Sequence, residues 1–192
     1  MIAPHQDIKT ILYSREAIAA RVKEMGREIT RDLQSNQSLN GAGEEYRIPV
    51  LLGILKGALP FLADLIREID IPIAYDLIAV SSYGAATKSS GTVRILKDLD
   101  LSIENRDAII VEDIIDTGLT LQYLSANLKA RNPRSLKICT LLDKPSRRKL
   151  PLQPDYNGFV IPDAFVVGYG LDYNERYRNL PYIGVLKEEI YQ

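Results

Sequence analysis

The chain has 192 residues with 24 basic and 25 acidic side chains, a formal net charge of −1. That length suits one domain with a substantial core and leaves too little for two. So balanced a charge provides no global field toward nucleic acid or an anionic membrane, so any anion site must be local. A single cysteine, Cys139 in the apolar run Leu136 to Leu142, excludes an internal disulfide and a cysteine metal cluster; it reads as a small core residue in a reducing cytoplasm. The single histidine, His5, lies in a polar N-terminal segment and argues against histidine metal sites and a Ser-His-Asp triad. Met1 to Lys9 contains Pro4, His5 and Asp7 and no apolar core segment, so a signal peptide is not expected, and no apolar run approaches the ~20 residues of a membrane span.

In chain order, Ser14 reads as the cap of a helix carrying Ala17, Ile18, Val22, Met25 and Ile29 at three- and four-residue spacing. Ser35 to Glu45 is polar and Gly-containing and reads as a loop. Ile48 to Leu55 is apolar enough for a buried strand, ends at Lys56-Gly57, and gives way to a helical pattern at Leu59, Leu62, Leu65 and Ile66. Ile73 to Val80 forms another strand and delivers Ser81-Ser82-Tyr83-Gly84. The small polar residues 85 to 91 that follow have the composition of a lid that closes over substrates and excludes water. Val93 to Leu96 returns as a strand.

The densest signal is Ile109-Ile110-Val111-Glu112-Asp113-Ile114-Ile115-Asp116-Thr117-Gly118-Leu119-Thr120-Leu121. The β-branched residues suit a strand of a parallel sheet, and Leu121 and Leu124 start a helical period that runs to about Ala130. The first amides of such a helix lack backbone partners and face outward at the positive end of its dipole, where an anion satisfies them. Gly118 allows close approach, Thr117 and Thr120 add hydroxyl donors, and Glu112 with Asp113 can accept hydrogen bonds from a sugar diol. The sequence contains neither G-x-x-x-x-G-K-[ST] nor G-x-G-x-x-G, so the two common nucleotide loops do not explain the stretch. An Asp N-cap would explain Asp116 and Thr117 but not two acids inside an apolar run.

Arg131-Asn132-Pro133 ends the helix before the strand Leu136 to Leu142, and Lys144 stands directly after that strand. Arg147, Arg148 and Lys149 read as a solvated turn, with contact to RNA as the sharper alternative. Strands near 48 to 55, 73 to 81, 108 to 113, 136 to 142 and 165 to 168, alternating with helices, predict an α/β fold: a parallel twisted sheet with helices on both faces.

Two apolar residues, two acids, two apolar residues, Asp-Thr-Gly and a second Thr resemble the phosphoribosyl-pyrophosphate (PRPP) signature of type I phosphoribosyltransferases. Leu55-Lys56-Gly57-Ala58 resembles the pyrophosphate loop of the purine members. Ile161 to Tyr182, with Phe165-Val166 and Leu171-Asp172, is similar to their base- and metal-binding segment. The match runs from Ile48 onward and is closest to the bacterial hypoxanthine-guanine branch.

The resemblance implies transfer of hypoxanthine or guanine to PRPP, giving IMP or GMP and pyrophosphate with Mg²⁺. It implies Asp116 as general acid or base at purine N7, and Glu112, Asp113 and Asp116 to Thr120 (Thr117, Gly118, Leu119) at the ribose and 5′-phosphate. Lys56, Gly57 and Arg178 would meet pyrophosphate, and Ser82 and Tyr83 would lead the lid. Lys144 would reach purine O6, Phe165 would stack on the base, and Val166 would present backbone groups to its edge. Asp172, close to the base, would reach the metal, with Glu112 and Asp113 at the metal or its water. A single domain is implied, with a core of about residues 45–170 and a small hood from the N-terminal residues and residues 171–192. A homodimer or homotetramer is implied as well. The competing reading is a PRPP-sensing regulator whose basic run contacts RNA or DNA.

Overall fold

The computed structural model describes residues 5–38, 48–82 and 93–191. The loop expected up to Glu45 and the lid beyond Ser82, Tyr83 included, lie wholly or in part outside these residues. The central sheet takes β2 (Val50–Leu55), β3 (Ala74–Ser82), β4 (Val93–Lys97), β5 (Asp107–Ile115), β6 (Ser135–Asp143) and β7 (Tyr156–Val160) in the spatial order β4-β3-β2-β5-β6-β7. All neighbours are parallel except the edge strand β4, which runs antiparallel to β3.

Side chains alternate between the faces as the strand period requires. Leu51, Ile109, Val111, Cys139 and Leu141 face one layer, formed by α1 (Arg15–Ser38) and α2 (Leu59–Leu65). Val50, Leu52, Ile54, Ala108 and Ile110 face the other, formed by α3 (Leu119–Lys129) through Leu121, Leu124 and Leu128. Ser14 Oγ accepts from the Ala17 amide at 3.2 Å, as expected of a cap. Ile18, Val22, Met25, Ile29 and Leu33 of α1 are all buried, each contributing about 1.5–3 kcal/mol. Cys139 is fully buried, and burial pushes its thiol far up.

Three expectations need correction. Val166–Val167 forms β8, which is not in the central sheet. It pairs antiparallel with β9 (Ile183–Leu186), and β9 pairs with β1 (Ile8–Tyr13), making a second, three-stranded sheet from both ends of the chain. The place in the six-stranded sheet expected for residues 165 to 168 belongs to Tyr156–Val160, the edge strand that joins β6 in parallel. Helix α1 continues through Ser35 to Ser38, because the buried turns upstream, from Ile18 to Leu33, carry a polar end that alone would read as loop.

Strand β2 has β3 on one side and β5 on the other, so the chain reverses its direction of progress across the sheet between β2 and β5. Open parallel sheets bind ligands at such a reversal, outside the carboxyl ends of the strands. The turns after β2 and β5 both open there.

Candidate active site

Strand β5 carries Glu112 and Asp113 to the carboxyl edge and ends one residue before Asp116. Gly118, at φ 83°, turns the chain into α3, and no side chain caps that helix. The first-turn amides beyond Leu119 are therefore left without a capping side chain, and Thr117 and Thr120 flank them. Leu119 opens the helix, with its amide 3.5 Å from Thr117 Oγ1.

A cleft of about 300 Å³ is lined by Lys56, Gly57, Glu112, Asp113, Asp116, Thr117, Gly118, Thr120, Asp172 and Arg178. The pyrophosphate, ribose, phosphate and metal candidates thus face one space, and Leu119 is not among the residues that line it. The Leu55–Lys56 peptide is cis. A Cβ on Gly57 would fall 1.6 Å from Asp113 Oδ2, so only glycine lets this turn lie against the acid.

The cleft's charges are arranged against one another. Asp172 Oδ1 lies 2.9 Å from Arg178 Nη2, and Asp172 Oδ2 accepts from the Glu175 amide at 2.9 Å. Arg178 Nη1 donates to the Gly170 carbonyl at 2.8 Å, while its Nε is buried without a partner. Lys56 Nζ lies 3.0 Å from Glu175 Oε2, both side chains being exposed. An incoming anion has Lys56 and Arg178 to recruit once it displaces these carboxylates. Glu175, unremarkable in a tyrosine-rich segment of the sequence, holds both.

Glu112 Oε2 is shut off from solvent and makes no hydrogen bond. Burial, then the neighbouring Asp113 charge and hydrogen bond, push the Glu112 carboxyl well above its ordinary range. Burial also raises Asp113, against hydrogen bonds from Glu112 and the backbone that pull it down. Oxygen donors of this kind suit Mg²⁺, which binds through one or two carboxylates and substrate phosphates, and Glu112 Oε2 is an acceptor without a donor. Asp172, Glu112 and Asp113 share the cleft, yet no three acid, histidine or cysteine side chains among the described residues converge as a preformed metal site.

A second cleft, of about 400 Å³, is lined among others by Lys144, Arg147, Asp163, Phe165 and Tyr191. The Lys144 amide donates to the Ile115 carbonyl at 3.0 Å, which sets Lys144 beside Asp116 on adjacent strand ends. Lys144 is buried. That burial lowers its ammonium pKa, and the Asp116 and Asp163 charges oppose the shift. Phe165 stacks on Tyr191 with centroids 4.8 Å apart and meets Tyr173 edge-on at 5.6 Å. Val166 is buried in the small sheet behind it. Ser82 ends β3, and Tyr83 lies outside the described residues.

Of the basic run expected as a solvated turn, Arg147 and Lys149 are exposed as expected and Arg148 is not. Arg148 is largely buried, ion-paired to Asp143 and bonded to the Leu152 carbonyl, with its Nε 3.3 Å from the Asp116 carbonyl. Arg147 Nε lies 3.0 Å from Asp116 Oδ1. Lys149 alone among the three keeps an exposed side chain without a role in either cleft.

A family model described as "Phosphoribosyl transferase domain" matches residues 10–174. The chain belongs to that family. This phosphoribosyltransferase is 55% identical over 186 residues to the hypoxanthine-guanine phosphoribosyltransferase of Bacillus subtilis (strain 168), covering 97% of each chain. It is 51% identical over 187 residues to the bifunctional protein TilS/HprT of Listeria innocua, matching 97% of this chain and 27% of that longer protein. A crystal structure of a hypoxanthine phosphoribosyltransferase from Staphylococcus aureus has a TM-score of 0.88 to this phosphoribosyltransferase. The two are 48% identical, with 98% of this chain and 96% of that chain covered. The expected α/β fold of this family is the fold observed.

Proposed function

We propose that this protein joins hypoxanthine or guanine to the phosphoribosyl group of PRPP, giving IMP or GMP and pyrophosphate. The observation that carries the reading is the junction of β5 and β6. An uncapped helix N-terminus, two half-buried acids and the Asp116–Lys144 neighbours adjoin there, so that phosphate, ribose and base groups have complementary partners in sequence along one strand edge.

In the reaction N9 of the base bonds to C1 of the ribose as the C1–oxygen bond breaks and its electron pair leaves with pyrophosphate. The base loses a proton, which Asp116 accepts at N7. Lys56 and Arg178 neutralise charge on the leaving group, and the α3 amides with Thr117 and Thr120 hold the 5′-phosphate. Glu112 and Asp113 hold the ribose hydroxyls and favour the cationic character that grows at C1. Lys144 donates to O6, which adenine lacks, and Phe165 offers its exposed ring to the base. Mg²⁺, held by Asp172 with Glu112 or Asp113, would add charge neutralisation on pyrophosphate.

Ser82 and Tyr83 as lid residues, Val166 as the base-edge residue, one domain with a terminal hood, and a homodimer or homotetramer belong to the same proposal. No helix among the described residues is long and apolar enough to cross a membrane. The regulator reading gains no support, since the relatives matched over nearly the full chain carry an enzyme's name. IMP should accumulate when purified protein receives hypoxanthine, Mg²⁺ and PRPP, and should not when ribose 5-phosphate replaces PRPP. Absence of IMP in the first mixture would refute the reading.

A further inference from the structure

The two clefts meet at one ion pair. Asp116 belongs to the wall of the first and Arg147 to the wall of the second. Arg147 Nε lies 3.0 Å from Asp116 Oδ1, and its Nη1 lies 3.4 Å from Asp163 Oδ1. A base held between Lys144 and Phe165 in one cleft can bond to a ribose held in the other only across this boundary. In the ion-paired arrangement Asp116 Oδ1 is closed off from water and accepts no hydrogen bond, so this one carboxylate oxygen lies against the guanidinium without being satisfied by it, while the rest of the side chain stays open.

We propose that Arg147 is a gate between the base and ribose subsites: it covers Asp116 in the empty enzyme and swings away, pivoting on Asp163, when a purine takes the Asp116 edge. This rests on the transferase reading, with Asp116 at N7.

Four features favour displacement over a permanent pair. The side chains are 49% and 41% exposed, and ion pairs so open to water hold weakly. The adjacent Arg148 is fixed by Asp143 and the Leu152 carbonyl, so the turn Pro145–Arg147 can stay in place while the Arg147 tip moves. Lys144, buried beside both Asp116 and Asp163, leaves a cation next to those carboxylates after the guanidinium departs. Glu188 in the same cleft offers the departing guanidinium a further acidic neighbour.

The test is steady-state kinetics with hypoxanthine varied at saturating PRPP and Mg²⁺, for the wild type, Arg147→Ala and Arg147→Lys, at low and high salt. Removing a half-exposed competitor should lower the hypoxanthine KM of Arg147→Ala by about two- to fivefold. Salt should lower the wild-type KM by screening the pair and leave that of Arg147→Ala flat. Arg147→Lys keeps the charge without the fork and should fall between them while retaining the salt response. Melting curves check the fold, and Arg147→Lys carries the test if Arg147→Ala does not fold. A hypoxanthine KM that rises in Arg147→Ala, or that neither substitution nor salt changes, overturns the gate while an active wild type keeps the transferase reading. A wild type that forms no IMP overturns both.

Discussion

Replacing Lys144 by methionine isolates one claim about base recognition. The ammonium sits at the end of a buried stem beside Asp116, where burial already disfavours its charge. Methionine keeps the apolar stem and removes the donor, so packing is nearly conserved. A hydrogen bond from a charged donor contributes about 1.5–3 kcal/mol. Its loss should therefore lower kcat/KM for hypoxanthine by about 10- to 150-fold, at about 1.4 kcal/mol per tenfold. Adenine presents an amine where hypoxanthine presents O6, so its weak turnover should hold steady or rise. The assay is kcat/KM for both bases at saturating PRPP, read as their ratio. A ratio within twofold of the wild type, in a variant that melts normally, would refute the placement of Lys144 at O6.

Asp116→Asn should lower kcat by about 10²-fold or more if the carboxylate takes the N7 proton, measured under saturating substrates. Glu112 should give a pH-dependent stability. Burial, reinforced by Asp113, raises its folded pKa, so the folded state holds the proton more tightly and stability is lost as pH rises through that value. Glu112→Gln should thus melt like the wild type at acid pH and progressively above it toward alkaline pH, while IMP formation falls; a constant offset in melting curves across pH would contradict this. Gly57→Ala must push Asp113 or the turn aside, at about 1–3 kcal/mol of overpacking, and calorimetry should show a fall of roughly 2–4 °C per kcal/mol for a chain of this size. Tyr191→Ala removes the ring stacked on Phe165 and should raise the hypoxanthine KM roughly two- to tenfold.

What the sequence made legible was local chemistry. Glu112-Asp113 in an apolar run has no structural excuse, and Asp116 to Thr120 at a strand-to-helix turn announces an anion site; the structure brings both into one cleft with Lys56 and Arg178. Lys144 was readable because it follows a strand end directly. Long-range pairing was not readable. The small sheet joins β1 to β9 and β8 from opposite ends of the chain, and β8 is two residues long, too short for any period to register. Strand β7 carries Asn157 and Gly158 within Tyr156–Val160, residues poor in strand preference that the neighbouring β6 nevertheless holds. Arg147 and Arg148 have the composition of a solvated turn, and only the fold sets Asp116 and Asp143 opposite them. Tyr191 near the chain's end meets Phe165 through packing that no spacing encodes.

The central claim is base-dependent transfer from PRPP, and pyrophosphate release tests it most directly. Separate reactions would contain hypoxanthine, guanine, xanthine or adenine with PRPP and Mg²⁺, beside a control without base. The account predicts release with hypoxanthine or guanine well above both the adenine reaction and the control. Release that is equal with and without base, or absent with every base while PRPP still binds, would contradict it.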